Sequence, residues 1–216
     1  MIDTLLDKGR REKLVKLLGN TFPYQQGVLD AIGLVPRHFF VESGLAHLAY
    51  EDKPLSIAAK QTISQPSTVA FQTHLLELKA REKILEIGTG CGYQTAILSA
   101  MGARVYSVER IKELYIEAQK NLVRLGFDRA IVVLADGNDG LMQFAPFKKI
   151  LVTCACHKIP LKLVQQLEIG GLMVVPVAET LDVQQMIVVK RIDETNIETK
   201  SYGNCSFVPM LSGVVR

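Results

Sequence analysis

Three features that mark particular functional classes are missing from this sequence: a dense basic run, a long apolar segment and an apolar leader. Lys and Arg are spread along the 216 residues and the net charge is +3, whereas a nucleic-acid surface needs a concentrated positive stripe. No segment approaches the ~20 apolar residues that span a bilayer, and the opening MIDTLLDKGRR lacks the apolar core of a signal peptide. We therefore expect a cytoplasmic monomer that binds neither nucleic acid nor membranes.

The cysteines and histidines form no recognised metal or disulfide motif. Cys91, Cys154, Cys156 and Cys205 include no C-x-x-C pair, and the sequence contains no H-E-x-x-H. Cys154 and Cys156 alternate at the end of a predicted strand, where buried thiols commonly fill a core. Cys156 followed by His157 resembles a thiolate nucleophile with its base, but no third group is present to orient them. We therefore predict no metal site and no disulfide.

From about residue 66 onward, apolar segments alternate with amphipathic ones. Strands are predicted at 84–87, 104–108, 131–134, 150–153, 170–177 and 186–189. Helices are predicted to begin near Pro66, Tyr93, Ile111 and Pro160, the last one running to Leu167. Apolar strands separated by helices predict a mostly parallel sheet that is covered on both faces. The final strands have no helix between them, so we expect an antiparallel C-terminal edge.

The first 65 residues follow a different pattern. Two short helices are predicted around Leu14 and Ile32, and an irregular stretch follows them. Long irregular stretches in compact domains are usually functional or disordered, and the aromatic and apolar residues here argue against disorder. The fold class is therefore α/β, with a Rossmann-like sheet and an N-terminal helical addition. We expect a single domain, 1–216, with an N-terminal part, 1–65, and an α/β body, 66–216.

The segment LEIGTGCGYQTAIL, residues 85–98, joins an apolar strand to a helix through three alternating glycines. Gly88, Gly90 and Gly92 carry no Cβ, so a ligand could approach the backbone closely. The spacing is G-x-G-x-G, and Tyr93 stands where a dinucleotide fingerprint requires its last glycine. Alone this triplet is a weak signal, because many such triplets are simple tight turns.

Acidic residues end the next two predicted strands. Glu109 ends the second strand, where a carboxylate can accept both hydroxyls of a ribose. Asp136 and Gly137 end the third, at a position suited to an adenine edge. A lone Glu at a strand end is more often a solvated charge. Ligands of open α/β sheets bind outside the carboxyl ends of the strands, so three such sites together favour an adenosine ligand.

The residues leave two adenosine ligands open, NAD and S-adenosylmethionine. NAD needs helix amides at its pyrophosphate, and close packing there normally requires the later glycine. S-adenosylmethionine has no phosphate and needs only close backbone approach to its methionine part. The spacing therefore favours the methyl donor without excluding NAD.

A series of short segments follows the order found in one enzyme family. These segments are VPRHFFV, AYEDKPL, QTISQPSTVA, EIGTGCGYQTAIL, SVERIKEL, ADG, APF, IP with QQLEIGG, VVPV and FVPM. In them the sequence resembles the protein-L-isoaspartate (D-aspartate) O-methyltransferase family, from about residue 35 to the C-terminus. QTISQP is much more specific than EIGTGCGY with VER, which many methyltransferases share.

The resemblance implies a class I S-adenosylmethionine-dependent methyltransferase fold and a repair reaction. The family moves a methyl group from S-adenosyl-L-methionine, leaving S-adenosyl-L-homocysteine, to the free α-carboxylate of L-isoaspartyl residues in damaged proteins. The ester cyclises to a succinimide, and hydrolysis returns part of it to aspartate. Isoaspartyl-containing peptides and proteins are thus the expected partners. An ionised carboxylate is already a nucleophile at neutral pH, so the transfer needs no general base, only placement and exclusion of water.

The resemblance also assigns roles to residues. It implies that Ser64 is the catalytic residue that holds the substrate carboxylate, that Thr62 and Ile63 line the same wall, and that Val208 contacts the substrate peptide through its backbone. Without the resemblance, Ser64 would be interpreted as the cap of the helix beginning at Pro66. The predicted donor-binding residues are Glu86, Gly88, Thr89, Gly90, Cys91, Gly92, Glu109, Arg110, Asp136 and Gly137.

Three segments depart from the family pattern. Ala58-Ala59-Lys60 stands where relatives often have glycine, which predicts a stiffer loop with an added positive charge. Lys148-Lys149 follows PF where an aspartate is usual, and Cys156-His157-Lys158 replaces a proline-rich turn. These departures bear on substrate choice rather than on the donor. They keep open a donor-binding homologue that is weakly active or inactive, and the glycine spacing disfavours an NAD-dependent oxidoreductase.

Overall fold

The computed structural model describes residues 2–178 and 183–216 and contains one large and one small β-sheet. The described strands are β1 (Leu55–Ser56), β2 (Thr62–Ile63), β3 (Lys83–Ile87), β4 (Arg104–Glu109), β5 (Ile131–Leu134), β6 (Phe147–Val152), β7 (Leu167–Ala178), β8 (Gln184–Arg191) and β9 (Ile197–Cys205). The large sheet has the order β5-β4-β3-β6-β7-β8-β9. Strands β3 to β7 pair in parallel, whereas β7-β8 and β8-β9 are antiparallel. The predicted antiparallel C-terminal edge is confirmed.

The α-helices cover this sheet and form the N-terminal addition. They are α1 (Leu5–Thr21), α2 (Gln26–Leu34), α3 (Pro66–Leu75), α4 (Tyr93–Ala100), α5 (Lys112–Arg124) and α6 (Leu161–Val164). The prediction of a helix that runs to Leu167 is wrong, because α6 ends at Val164 and Leu167 begins β7, where it pairs with Phe147. Strand pairing therefore overrides the helical spacing of the leucines and valine.

The strand order reverses at β3. The chain moves from β3 outward to β4 and β5, and then returns to place β6 on the other side of β3. A crevice forms at such a reversal, outside the carboxyl ends of the central strands. The turn after β3 therefore opens directly into the crevice.

Apolar burial holds both parts of the chain to the sheet. In β3, Ile84 and Leu85 have no exposed surface, as expected for a parallel strand that is covered on both faces. Leu18 of α1 and Ile32 of α2 belong to the same buried cluster as Ile97 of α4. Burying one such side chain stabilises the fold by about 1.5–3 kcal/mol, so the N-terminal helices are packed parts of the core.

The irregular stretch, residues 35–65 and hereafter the N-terminal loop, is built from short pieces. It contains 3-10 helices at Arg37–Phe40, Ser43–Leu48 and Ala58–Lys60, and the β1-β2 hairpin. Phe40 within it is fully buried. The loop therefore packs against the core, in line with its aromatic and apolar composition.

Candidate active site

The glycine turn, Gly88–Gly92, has a backbone that favours glycine at all three glycine positions. Gly88, Gly90 and Gly92 have φ of 95°, 56° and 93°, in the region that side chains disfavour. A Cβ on Gly88 would also collide with the Thr153 hydroxyl. The Gly88 amide donates to the Val108 carbonyl at 2.9 Å, so backbone bonds to β4 hold the turn against the crevice.

Glu109, at the end of β4, faces the same turn. Its Oε2 accepts from the Gly90 amide at 2.8 Å and its Oε1 from the Ile111 amide at 2.9 Å. The two backbone donors orient the carboxylate, which is 5% exposed. Each carboxylate oxygen retains acceptor capacity after one hydrogen bond, so the group fits a pair of ribose hydroxyls.

Asp136, beyond β5, supports the wall of the crevice. Its Oδ2 accepts from the Gly213 amide at 2.6 Å and its Oδ1 from the Asn138 amide at 2.9 Å. Burial acts to raise the pKa of Asp136, but these hydrogen bonds outweigh it and hold the pKa below its usual range. Asp136 thus ties the C-terminal segment to the loop after β5.

Two adjoining cavities bring most of the predicted site residues together. The larger cavity is lined by seven of them: Thr62, Gly88, Gly90, Glu109, Arg110, Gly137 and Val208. The smaller cavity adds Ile63, Ser64, Thr89 and Cys91. Both cavities share Thr62, Gly88, Gly90 and Thr153. A ligand in the larger cavity therefore lies next to whatever enters the smaller one.

Three predicted residues do not line either cavity, and Asp136 is one of them. Gly92 is the N-cap residue of α4, where a Cβ would come within 3.4 Å of Ala118 on α5. Glu86 is fully buried beneath the turn and accepts hydrogen bonds from the Thr95 and Ser107 hydroxyls. Burial raises the pKa of Glu86 to about 7. These residues support the cavity walls from behind.

Ser64 lies on the wall of the smaller cavity and does not cap α3. The N-cap of α3 is Gln65, and its side chain makes no capping hydrogen bond. Instead Asp52 accepts from the Ser67 amide at 2.8 Å, so Asp52 satisfies a free amide of the helix start. The Ser64 carbonyl accepts from Arg37 Nη1 at 2.9 Å. The helix-cap interpretation of Ser64 therefore has no support in the structure.

Several lining residues were not predicted. Thr153, directly after β6, lines both cavities and places its hydroxyl 2.8 Å from the Gly88 carbonyl. Thr153 stands at the carboxyl end of a strand beside β3. Ligands of open α/β sheets bind outside the carboxyl ends of the strands, and this rule, which selected Glu109, could also have selected Thr153. Cys154, which was interpreted as core filling, lines the larger cavity with Gln61. Gln61 immediately precedes the predicted wall residues Thr62, Ile63 and Ser64 in the QTISQP segment, and this adjacency was the available signal.

The thiols near the crevice are poorly suited to act as nucleophiles. Burial raises the pKa of Cys91 to about 12 and that of Cys156 to about 11. Burial also raises the pKa of Cys154. All three are therefore neutral at physiological pH, whereas the reactive form of cysteine is the thiolate.

The departing Ala58-Ala59-Lys60 segment still forms a tight turn. Ala59 and Lys60 have φ of 54° and 57°, values that glycine adopts with less strain. The loop thus takes a glycine-like conformation without glycine. Of the other departures, Lys149 is buried in β6, and this burial lowers its pKa below the ordinary value for lysine. Cys156 is also buried.

One group of potential metal ligands occurs among the described residues, and it does not line either cavity. Asp3, Asp7 and His38 offer ligand atoms within 4.8 Å of one another. Asp3 already pairs with Arg11 at 2.9 Å, and Asp7 closes the capping box of α1 with Thr4. Both carboxylates are therefore engaged at the start of α1.

A match to the protein-L-isoaspartate(D-aspartate) O-methyltransferase family spans residues 9–215. The chain belongs to this family. It is 47% identical over 211 residues to the protein-L-isoaspartate O-methyltransferase of Flavobacterium johnsoniae, covering 98% of each chain. A solved protein-L-isoaspartate O-methyltransferase aligns with a TM-score of 0.87 and 28% identity, over 95% of this chain and 67% of the other.

A Plasmodium falciparum structure in complex with S-adenosyl-L-homocysteine aligns with a TM-score of 0.82 and 21% identity, over 93% of this chain and 98% of the other. At this identity the likeness supports the fold alone. With the family match, the predicted fold class of a Rossmann-like, class I methyltransferase is confirmed. No helix within residues 2–178 and 183–216 is long and apolar enough to cross a membrane.

Proposed function

We propose that this methyltransferase transfers a methyl group from S-adenosyl-L-methionine to the α-carboxylate of L-isoaspartyl residues in damaged proteins. The observation that carries the proposal is the chemistry of the smaller cavity. Its described lining includes Ser64, Tyr93 and Gln94 but no His, Asp, Glu or Lys. A reaction that needs a general base is poorly served there, whereas an acceptor that is already ionised is well served.

The larger cavity is proposed as the donor site. The glycine turn permits close approach to Gly88 and Gly90, and Glu109 presents an oriented carboxylate for a ribose diol. Arg110 and Gly137 complete the proposed walls of this cavity, and Thr89 and Cys91 are proposed to contact the donor from the adjoining smaller cavity. Glu86, Gly92 and Asp136 are proposed to act from behind those walls. The bound donor supplies an electrophilic methyl group on a sulfonium.

The smaller cavity is proposed as the acceptor site. The Ser64 hydroxyl would donate to one carboxylate oxygen and so orient the acceptor, while Thr62 and Ile63 exclude water beside it. Val208 is proposed to contact the substrate peptide through its backbone. Its carbonyl already accepts from the Ala155 amide at 2.8 Å, so that contact would use its amide or the remaining lone pair.

We further propose that the chain forms one domain that acts in the cytoplasm as a monomer, without nucleic acid or membrane. Its four cysteines are free thiols, which fits a reducing compartment. The two parts of the chain share a buried cluster, which supports one domain. Sedimentation of the purified protein tests the monomer directly, and a dimer at micromolar concentration would contradict it.

The decisive experiment compares an isoaspartyl peptide with its normal aspartyl twin. We expect methyl transfer to the first and none to the second, with tight binding of S-adenosyl-L-homocysteine in calorimetry. A protein that binds S-adenosyl-L-homocysteine but methylates no isoaspartyl peptide would be the inactive homologue instead. Binding of NADH in place of S-adenosyl-L-homocysteine would point to the oxidoreductase, which the family match does not support.

A further inference from the structure

Arg37 is a buried cation that holds the N-terminal loop together. Its side chain has no exposed surface. Its Nε donates to the Ala49 carbonyl at 2.8 Å, its Nη1 to the Ser64 carbonyl at 2.9 Å and its Nη2 to the Lys53 carbonyl at 3.2 Å. One guanidinium thus joins three separated points of the loop, and one of these points is the proposed catalytic residue.

The charge of Arg37 has no carboxylate partner. Among the ion pairs of the described residues, none includes Arg37. A buried charge is normally paired, and a guanidinium does not escape the cost by losing its proton. Three neutral carbonyls give each guanidinium nitrogen one hydrogen bond but leave the positive charge in place.

Tyr93 connects this charge to the smaller cavity. The Arg37 guanidinium lies 5.3 Å from the centroid of the Tyr93 ring, a cation–π distance. Tyr93 lines the smaller cavity beside Ser64. The field of the cation therefore reaches the proposed acceptor site through a buried aromatic ring, where screening by water is weak.

Asp52 holds the other side of Ser64. Its Oδ1 accepts from the Ser67 amide at 2.8 Å and its Oδ2 from Gln65 Nε2 at 3.1 Å. Ser64 thus lies between two anchored points. Arg37 binds its carbonyl, and Asp52 binds Gln65 and Ser67 at the start of α3. Asp52 also acts on Arg37 electrostatically, so it partly offsets the positive field.

We propose that Arg37 is a positioning residue whose unpaired charge also sets the preference of the acceptor site for a carboxylate. The guanidinium places Ser64 through its carbonyl, and the charge favours an anionic acceptor over a neutral one of the same shape. This inference rests on the proposed function and adds a source of charge selectivity to it. The Ser64 hydroxyl alone cannot supply that selectivity, because a neutral donor also bonds to an amide oxygen.

The test compares an isoaspartyl peptide with an otherwise identical peptide that carries an α-carboxamide in place of the α-carboxylate. Both are titrated by calorimetry into protein saturated with S-adenosyl-L-homocysteine, which yields an acid-over-amide affinity ratio. We expect Arg37→Met to lower this ratio roughly tenfold, as for loss of one charge at an effective dielectric of about 20. Arg37→Lys keeps the charge and should keep the ratio within about threefold. Arg37→Lys should still lower kcat, since a compact ammonium lacks the planar fork whose three nitrogens reach three separated carbonyls.

Asp52→Asn provides a variant with the opposite expected sign. Asparagine keeps an acceptor for the Ser67 amide, and Gln65 can bond to it after an amide flip. Only the negative charge is lost, so the acid-over-amide ratio should rise about two- to fivefold. This variant decides the matter if Arg37→Met does not fold.

Arg11→Met is the matched control. Arg11 is also buried and donates to a backbone carbonyl, that of Gly33, at 2.8 Å, but it pairs with Asp3. Arg11→Met should lower the unfolding free energy without changing the acid-over-amide affinity ratio. An unchanged ratio in both Arg37→Met and Asp52→Asn, or an equal fall in Arg11→Met, would overturn the inference. Failure of the proposed function is seen separately, as a wild type that does not methylate the isoaspartyl peptide.

Discussion

The glycine turn and the N-terminal loop line the same cavities, but different interactions hold them. In the turn, backbone amides bond to β4 and glycines supply the left-handed conformation, as at Gly88. In the loop, charged side chains bond to carbonyls and amides that are distant in the sequence, as Arg37 and Asp52 do. A backbone-held wall depends on a short local sequence. A side-chain-held wall depends on residues that are far apart in the chain.

Each region also has a buried ionisable group behind its wall. Glu86 lies beneath the turn, and Arg37 lies within the loop. Burial raises the pKa of Glu86 to about 7, so its charge depends on pH near neutrality. The guanidinium of Arg37 stays charged at every physiological pH. The charge beneath the turn can therefore change with pH, whereas the charge of Arg37 is permanent.

The largest expected effect is a loss of donor affinity when the glycine turn, which backbone hydrogen bonds hold, is distorted. In Gly88→Val, the new Cβ meets the Thr153 hydroxyl and the residue must adopt φ of 95°. We expect S-adenosyl-L-homocysteine binding to weaken more than about 100-fold, because the left-handed valine and its collision with Thr153 both distort the turn, and ~2.8 kcal/mol is 100-fold in affinity. Gly126→Ala is the control, because φ is 76° there but no atom lies within 4 Å of the new Cβ. Normal donor affinity in Gly88→Val would remove the turn from the donor site.

The second prediction concerns the buried acid beneath the turn. Because the folded pKa of Glu86 lies above its unfolded value, its contribution to stability is complete below about pH 4 and is lost as the pH rises through about 7. Glu86→Gln removes this dependence. Relative to wild type, it should gain up to about 3 kcal/mol of unfolding free energy between pH 4 and pH 8. Denaturant unfolding across this range measures the gain.

Glu113→Gln serves as the control for that measurement, because Glu113 is exposed in the first turn of α5. It should follow the wild-type pH dependence. Parallel stability curves for Glu86→Gln and wild type from pH 4 to pH 8 would show that Glu86 does not titrate in this range.

The difference between the two regions also explains what could be predicted from the sequence. The turn, Glu109 and the parallel strands could be found because each depends on local spacing or on a strand end. The contacts that hold the segment around Ser64 could not, because Arg37 precedes Ser64 by 27 residues and Asp52 is 15 residues before Ser67. No periodicity links such positions. Glu86 was predicted beside the donor, but strand alternation turns it into the core, against Thr95 and Ser107.

The third prediction tests the carboxylate that faces the turn. Glu109→Ala removes the acceptor of the Gly90 amide and the proposed partner of the ribose. Hydrogen bonds to a charged group contribute about 1.5–3 kcal/mol each, so affinity for S-adenosyl-L-homocysteine should fall at least about tenfold. Calorimetry measures this fall, with the exposed Glu113→Ala as the control. Equal affinities of Glu109→Ala and wild type would exclude Glu109 from the donor site.

The most limited effect is expected at Ser64, because the methylation rate should change there while donor affinity and stability should not. Ser64→Ala removes one neutral hydroxyl that orients the acceptor, at a cost of about 1–3 kcal/mol. We expect methylation of an isoaspartyl peptide to slow roughly 5- to 150-fold, while affinity for S-adenosyl-L-homocysteine changes little. The backbone contact to Arg37 uses the Ser64 carbonyl, so the loop should keep its position. Stability should also be retained, because Asp52 rather than Ser64 bonds the Ser67 amide.

Asp52→Ala should instead lower the unfolding free energy by about 1 kcal/mol, as expected when a helix start loses its acceptor. Steady-state rates and denaturant unfolding of both variants test this assignment. A Ser64→Ala enzyme with wild-type turnover and reduced stability would reverse it, making Ser64 a structural residue and leaving the acceptor carboxylate to be oriented by other residues.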